Sequence, residues 1–345
     1  MKKFRIGALL LAMIVLTGCI PNKPADTDHQ TNFEALWKII DEKYCFHDLK
    51  GVDWDEVHVR YSKLLKEKKY SHVEFFYLMN AMLNELKDGH VNLYSEFDVG
   101  YAVINLDVTK GLNVYARSVT IAKTKGSRLM RSGGMNYGIF MPNDSETKFG
   151  YIGYGSFSSP LGNMPVIFSI MKDTDGIILD LRGNGGGSVD NSNRLISYFL
   201  KEKTLVGYSS HKTGPGRFDF SKPKPLYIEP NSKVTYTEKP VIILQDRSSY
   251  SATNEFLYKV ALAKNVYRIG QKSGGGSGMP ASSELPNGWK VRYSAVKNYD
   301  HEMKQHESGV EPNLFVENVS YLENPGAEDL ILLEAMKYLV SVTGK

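Results

Sequence analysis

The chain has 345 residues, 42% of them apolar and 23% charged, with a formal charge of +4. Those fractions are ordinary for a soluble globular protein of one large or two modest domains. Three of the positive charges, Lys2, Lys3 and Arg5, fall in the first 18 residues with no negative ones. Without that stretch the charge is +1, which leaves no electrostatic case for nucleic acid.

Lys2, Lys3 and Arg5 precede the apolar run 6–16, and Leu16-Thr17-Gly18-Cys19 follows. This reads as a signal peptide (residues 1–18) ending in a lipobox, with Cys19 diacylated as the new N-terminus. The run is too short to span a bilayer. It predicts a lipoprotein of the bacterial cell envelope, held on the periplasmic or outer-membrane face by its N-terminal lipid. Cys45 is then left without a disulfide partner, so stability must come from an apolar core. It reads as a small buried hydrophobe rather than a nucleophile.

Residues 19–31, polar and proline-containing, read as a tether. Phe33, Leu36, Trp37, Ile40 and Tyr44 then recur at helical spacing. A second helix follows Asp53, with Trp54, Val57, Tyr61, Leu64 and Leu65 on one side. Ser71 with Glu74 forms a capping box that opens a third, whose stripe is Phe75, Leu78, Met79, Met82 and Leu86. Residues 32–94 are thus predicted as a helical subdomain, closed by the turn Lys87-Asp88-Gly89-His90 and the alternating segment 91–94. Residues 95–148 read as a small strand-rich insert.

From 149 onward the pattern is α/β, with a strand at 151–154, a helix at 164–171, a buried strand at 176–181 and a helix around 193–200. Residues 207–239, rich in Lys, Pro, Gly and Ser, read as a long loop or a β-excursion. A strand at 266–269 leads into a second Gly-rich loop, 273–278. Asn287-Gly288 turns a hairpin into 290–296, with Val291, Tyr293 and Ala295 on one face. A last helix carries Leu332, Ala335, Met336, Leu339 and Val340.

The most informative stretch is 240–264. Residues 241–244 form the short unbroken apolar run of a strand buried on both faces, and polar residues 245–249 break it. Phe256, Leu257, Val260 and Ala261 then fall at helical spacing. Ser251 therefore sits where a buried strand gives way to a helix N-terminus. Two roles are open to it: an ordinary helix cap, or a nucleophile beside free N–H groups that can receive an oxyanion. Asp180-Leu181-Arg182-Gly183-Asn184-Gly185-Gly186-Gly187 ends another buried strand. Its glycines let N–H groups converge on a negative oxygen, although a tight turn alone also explains them. No Gly-Lys-Ser/Thr follows and the dinucleotide spacing is missing, which argues against a phosphate loop.

Taken in order, residues 180–187, the Ser251-Ala252-Thr253 turn and Gly309-Val310-Glu311-Pro312-Asn313 resemble the C-terminal-processing (tail-specific) serine peptidase family. The similarity runs loosely from about residue 33 to 316. It implies an α/β catalytic domain (149–345) of the crotonase/Clp-protease type, built of strand–strand–helix units behind the N-terminal helical subdomain. It also implies Ser251 as nucleophile and the N–H groups of Gly186 and Ala252 as the oxyanion hole.

The tail-specific branch takes a lysine from the second Gly-rich loop as general base. The aligned position here is Gly276, and Lys272 is out of register. A branch similar to the tricorn core protease uses a histidine directly after the third helix, a place that His90 matches. Histidine's ordinary pKa suits a base at neutral pH. That branch orients its histidine through an adjacent serine, here Gly89, and a later glutamate. Glu307 is the nearest match to the glutamate and Asp88 a second candidate. His301 and His306, with Glu302 or Glu307, lack metal-ligand spacing, so no metal or organic cofactor is expected. Many members carry a PDZ domain for the substrate's C-terminus, and 95–148 is too short for a complete one. The expected function is a serine peptidase of the cell envelope acting on polypeptide through an acyl-enzyme. The rival is a catalytically inactive lipoprotein binding peptide or a lipophile in the same cleft. Hydrolysis of a non-peptide ester or amide is a third possibility.

Overall fold

The computed structural model describes residues 27–101, 120–121, 123–126, 128–317 and 328–344. The signal peptide and the lipidation of Cys19 fall outside the described residues, as does the middle of segment 95–148.

Local side-chain chemistry starts the N-terminal helices. Asp28 caps α1 (His29–Lys43) by accepting from the Thr31 N–H at 2.7 Å. The helix therefore begins inside the stretch read as tether, because this Asx cap sits five residues ahead of Phe33, the first apolar position used to place it. After the short α2 (His47–Lys50), Asp53 caps α3 (Trp54–Glu67) through the N–H groups of Asp55 and Glu56. Both halves of the Ser71–Glu74 capping box form at α4 (His72–Asn84).

The chain then adds β1 (Asn92–Tyr94), β2 (Val99–Gly100), β3 (Lys125–Gly126), β4 (Met130–Ser132), β5 (Met135–Met141), β6 (Phe149–Tyr154), α5 (Met164–Ile170) and β7 (Gly176–Asp180). The second half comprises α6 (Val189–Ser197), β8 (Thr204–His211), β9 (Lys224–Ile228), β10 (Val241–Gln245), α7 (Ala252–Val260), β11 (Val266–Gly270), β12 (Met279–Glu284), β13 (Lys290–Tyr299), β14 (Leu314–Phe315) and α8 (Leu330–Thr343).

Two sheets result. One runs β14-β11-β10-β7-β6-β5-β3, parallel from β14 to β6, with β5 antiparallel to β6. Every residue of β7 and β10 is buried, as their unbroken apolar runs require of strands covered on both faces. Alternation sorts them: Ile177, Leu179, Val241 and Ile243 face the layer of α5, α6 and α7, while Ile178, Ile242 and Leu244 pack under α8. β5, β6 and α5 make one strand–strand–helix unit. Because β5 pairs with β6 along its length, the segment read as an insert runs into the main sheet rather than standing apart from it.

The other sheet, β2-β1-β13-β8-β9 with β12 beside β13, is antiparallel. Residues 204–228, within and just ahead of the stretch read as loop or excursion, are thus a hairpin. The N-terminal helices do not close a core by themselves. Leu285, Trp289, Val291 and Tyr293 of the β12–β13 hairpin share one cluster with Phe33, Leu36, Phe75 and Phe76. Trp289 stacks on Phe75 at 5.8 Å and meets Phe76 edge-on at 5.4 Å. Apolar burial of rings this large fixes the helical layer against the late hairpin, and with it the turn after α4. No helix among the described residues is long and apolar enough to cross a membrane.

Candidate active site

The turns that follow β7, β10 and β11 meet at the carboxyl ends of these parallel strands, where such sheets bind ligands. Asp246, fully buried, accepts from the N–H groups of Gly183 at 3.1 Å and Ser248 at 3.0 Å. Tyr250 N–H donates to the Asn184 carbonyl at 3.1 Å, and Ser251 N–H donates to the Gly275 carbonyl at 2.9 Å. The Ser251 turn is thereby bonded to both Gly-rich loops. This bracing holds Ser251 at φ 57° and ψ −121°, a conformation that a non-glycine residue seldom adopts. The strain costs about 1–3 kcal/mol and persists only because the surroundings impose it.

That backbone also decides between the two roles of Ser251. Its side chain makes no capping bond to α7. Instead Oγ lies 2.9 Å from Nε2 of His90, which is 161 residues earlier in the chain. The helix begins without its serine cap, and the Ala252 N–H has no hydrogen-bond partner among the described residues.

His90 is held as tightly as the serine. Asp88 Oδ1 accepts the His90 backbone N–H at 2.8 Å. Asp88 Oδ2 accepts from Tyr44 Oη at 3.0 Å and from Ser294 Oγ at 2.8 Å. Asp88 therefore ties the turn to the end of α1 and to β13 through backbone and neighbours, without a hydrogen bond to the imidazole. Burial pulls the His90 pKa down to about 4; Asp88 opposes that shift, while the positive charge of Arg292 reinforces it. Nδ1 is buried without a hydrogen bond of good geometry, though the Gly278 backbone weakly favours the protonated ring. The Tyr250 ring covers the imidazole, with centroids 5.0 Å apart.

The structure does not bring Glu307 to the imidazole. Its Oε2 accepts from the Ser277 N–H at 2.8 Å, and its Oε1 pairs with Lys50 Nζ at 3.1 Å. Lys50 also donates to the Lys87 carbonyl at 3.2 Å, so Glu307 reaches the His90 turn only through that lysine. The carboxylate sits where it does because it satisfies the second Gly-rich loop, whose backbone donors would otherwise be buried unpaired. Burial, followed by the charge of Asp88, pushes its pKa up to about 7.

Of the two expected oxyanion donors, only Ala252 has its N–H open. The Gly186 N–H donates to Asn184 Oδ1 at 3.0 Å, so it can serve an oxyanion only by sharing or releasing that bond. Glycine itself is required there. At φ 98° a Cβ would lie 2.8 Å from both the Ala252 nitrogen and the Ser251 Cβ. Gly186→Ala should therefore lower kcat/KM by about 100-fold or more while the protein stays folded, checked by kinetics beside circular dichroism.

Other candidates resolve as structure. Gly276 adopts φ 77°, and a Cβ there would meet the Tyr250 ring at 2.3 Å, so the aromatic ring occupies the direction a side chain would take. Lys272 pairs with Glu311 at 3.0 Å. His306 bonds Asp300 at 2.7 Å and stacks on Tyr258. Cys45 is buried, and burial pushes its thiol pKa well up. Among the described residues no group of three or more His, Cys, Asp or Glu side chains is arranged to hold a metal. Arg182 pairs with both Asp180 and Asp329 beneath the Gly-rich loop, anchoring the start of α8.

A cleft of about 780 Å³ opens over Ser251 and His90, with residues 185–190, Gly278, Met279 and Arg292 in its lining. Tyr250 and Arg292 went unremarked in the sequence, and Asn184 appeared only as part of its Gly-rich run. Arg292 alone had a visible signal, since it falls on the face of β13 opposite Val291, Tyr293 and Ala295.

The sequence matches the tricorn protease C1 domain over residues 25–84 and peptidase family S41 over residues 148–316. A candidate peptidase from Parabacteroides merdae is 38% identical, with a TM-score of 0.78 over 91% of this chain and 98% of that one. Mature CPAF shares the fold at a TM-score of 0.68 and 11% identity, covering 91% of this chain and 96% of its own. The carboxy-terminal processing protease CtpA of Bacillus subtilis is 25% identical over 242 residues, 64% of this chain. The chain spans only 50% of that curated relative's length. With 38% identity to that candidate peptidase over 91% of the chain, and family matches over residues 25–84 and 148–316, the chain belongs to peptidase family S41.

Proposed function

We propose that this protein is a serine endopeptidase or tail-trimming peptidase of the bacterial cell envelope, anchored through a lipidated Cys19 and acting on extended polypeptide. The 2.9 Å contact between Ser251 Oγ and His90 Nε2 carries the catalytic reading. For Oγ to donate, Nε2 must be bare and the imidazole proton must sit on Nδ1. The Oγ proton then passes to Nε2, leaving Nδ1 protonated as well, as Oγ attacks the substrate carbonyl. The tetrahedral oxyanion is received by the Ala252 N–H, with Gly186 joining if Asn184 releases it. The imidazolium gives its proton to the leaving amine, and water hydrolyses the acyl-enzyme by the same route.

Neutral His90 is what the base role requires, and its burial favours that form. Protonation is suppressed until the pH falls towards about 4. A fluorophosphonate probe should therefore label Ser251 at pH 5 nearly as fast as at pH 7, where an ordinary histidine base would be mostly protonated at the lower value. Mass spectrometry of the labelled peptide, with rates taken across the pH range, checks this. A second limb near pH 7 that vanishes in Glu307→Gln belongs to the Glu307 carboxyl, which loses its proton in that region. Label found on another residue, or none at all, removes the assignment.

A further inference from the structure

A histidine base needs something to hold its ring in register with the nucleophile, and a third group hydrogen-bonded to the far nitrogen commonly does so. Neither candidate carboxylate fills that place here. Asp88 bonds the His90 backbone, and Glu307 bonds Ser277 and Lys50. Nδ1 is left buried without a hydrogen bond of good geometry. Gly89 beside it and Gly276 in the second Gly-rich loop bring no side chain to the imidazole.

What His90 does have is a packed face. The Tyr250 ring meets the imidazole at 5.0 Å between centroids, tilted by 59°, and is its one aromatic partner among the described residues. The far end of the same ring rests on Gly276. A Cβ there would lie 2.3 Å from Cζ, 2.6 Å from Cε2 and 2.7 Å from Oη. Gly276 is itself held by its N–H, which donates to the Glu307 carbonyl at 3.1 Å. The backbone that carries the ring is fixed too, by the bonds from Tyr250 to Asn184 and from Ser251 to Gly275. One aromatic ring, adjacent in the chain to the nucleophile, is thus set by both Gly-rich loops and packed on the base. Its hydroxyl is not what holds it, since Oη is buried without a hydrogen bond of good geometry. A buried hydroxyl in that state adds nothing to stability, which leaves the aromatic face as the working part.

We infer that Tyr250 is a positioning residue: packed on Gly276 and His90, its ring fixes the imidazole against Ser251 and keeps water from it, in place of an orienting acid. The role rests on the Ser251–His90 reading proposed above; the titration that tests it does not. Tyr250→Ala should lower kcat by about 100-fold, and Tyr250→Phe should restore activity to within about threefold of the parent. Loss of fold would also lower kcat, so the deciding readout is His90 itself. Its titration is followed by NMR of isotope-labelled histidine rings, with the signal assigned by its loss in His90→Gln. In the parent, burial holds the His90 pKa at about 4. In Tyr250→Ala it should rise by about one unit or more towards the ordinary 6.5, as water reaches the ring. The charged groups that act on the imidazole are Asp88 on its own turn, Arg292 of β13 and Lys50 of α2. Lys50 is paired with Glu307. Arg292 donates from Nη1 to Asn92 Oδ1 at 3.3 Å and pairs with no carboxylate among the described residues. All of them remain in the Tyr250 variants, and burial keeps the phenol neutral by pushing its pKa well up, so the shift belongs to the ring. Fluorophosphonate labelling should follow: about tenfold slower at pH 5 than at pH 7 in Tyr250→Ala, but not in the parent or Tyr250→Phe. Gly276→Ala, which pushes the ring aside without removing it, should move the titration the same way by less. Thermal melts show which variants stay folded. An unmoved His90 titration in folded Tyr250→Ala, with the parent cleaving peptide, overturns the positioning role and leaves the peptidase standing. A loss in Tyr250→Phe as large as in Tyr250→Ala also overturns it. A moved titration in a protein whose parent never turns peptide over supports the hold on His90 and sinks the peptidase instead.

Discussion

Replacing Ser251 with alanine is expected to abolish peptide hydrolysis, lowering kcat by on the order of 10⁴-fold or more, and to eliminate fluorophosphonate labelling. The size follows from what the hydroxyl does. Among the described residues it is the only serine oxygen within hydrogen-bond reach of the His90 ring, at 2.9 Å, and it is held there by a strained backbone braced from two loops. The substitution leaves φ and ψ under the same bracing, so the fold should survive and the loss belongs to the chemistry. Circular dichroism and peptide binding by the variant check this. Equal turnover or equal labelling of variant and parent removes Ser251 from the mechanism. A parent that binds peptides but never turns them over returns the molecule to the binding-protein reading.

His90→Ala should cost nearly as much, about 10³- to 10⁵-fold in kcat, because an unassisted serine hydroxyl is a weak nucleophile. The decisive measurement is the double variant. Groups that act as one unit are strongly non-additive, so Ser251→Ala with His90→Ala should be little slower than either single change. Losses that simply add would place the imidazole outside the reaction. The single variant offers another check, since it opens a ring-sized space beside Tyr250 and Ser251. Added imidazole should return part of the activity, with a pH dependence closer to that of free imidazole than to the parent's.

How much of this was legible beforehand differs by element. The strand–turn–helix at 240–264 was readable because an all-apolar run of four, a polar break and a helical stripe each have a local cause. The same holds for the α4 capping box and the Asn287-Gly288 hairpin. The start of α1 was misplaced by three residues because the reading weighted apolar periodicity above the Asp28 cap. Residues 207–239 were ambiguous because β8 and β9, which reach into that stretch, owe their pairing to each other and to β13, a partner remote in sequence.

The site divides along the same line. Ser251, His90, Gly186 and Ala252, which line one cleft, were nameable from motif order. Glu307 was assigned to the imidazole on its place in the chain, yet its carboxylate serves Ser277 and Lys50. Asn184 was seen as part of a Gly-rich run, but that its amide oxygen takes the Gly186 N–H depends on a turn geometry no residue string records.

Sequence by itself determined the strand–turn–helix at 240–264, that Ser251 stands at a helix entrance, and that His90 follows the third helix. Each of those follows from side chains within one or two turns of one another. Only the tertiary structure decided that Ser251 forgoes its capping bond for the imidazole, that Asp88 fixes that imidazole through the backbone, and that Arg292 faces the cleft unpaired. Those outcomes depend on burial and on contacts between residues some 200 positions apart, such as Asp88 with Ser294. Hydrogen-bond partners over that separation are chosen by the packing of the Trp289 hairpin on the early helices, a free-energy balance of the whole core rather than of any short stretch.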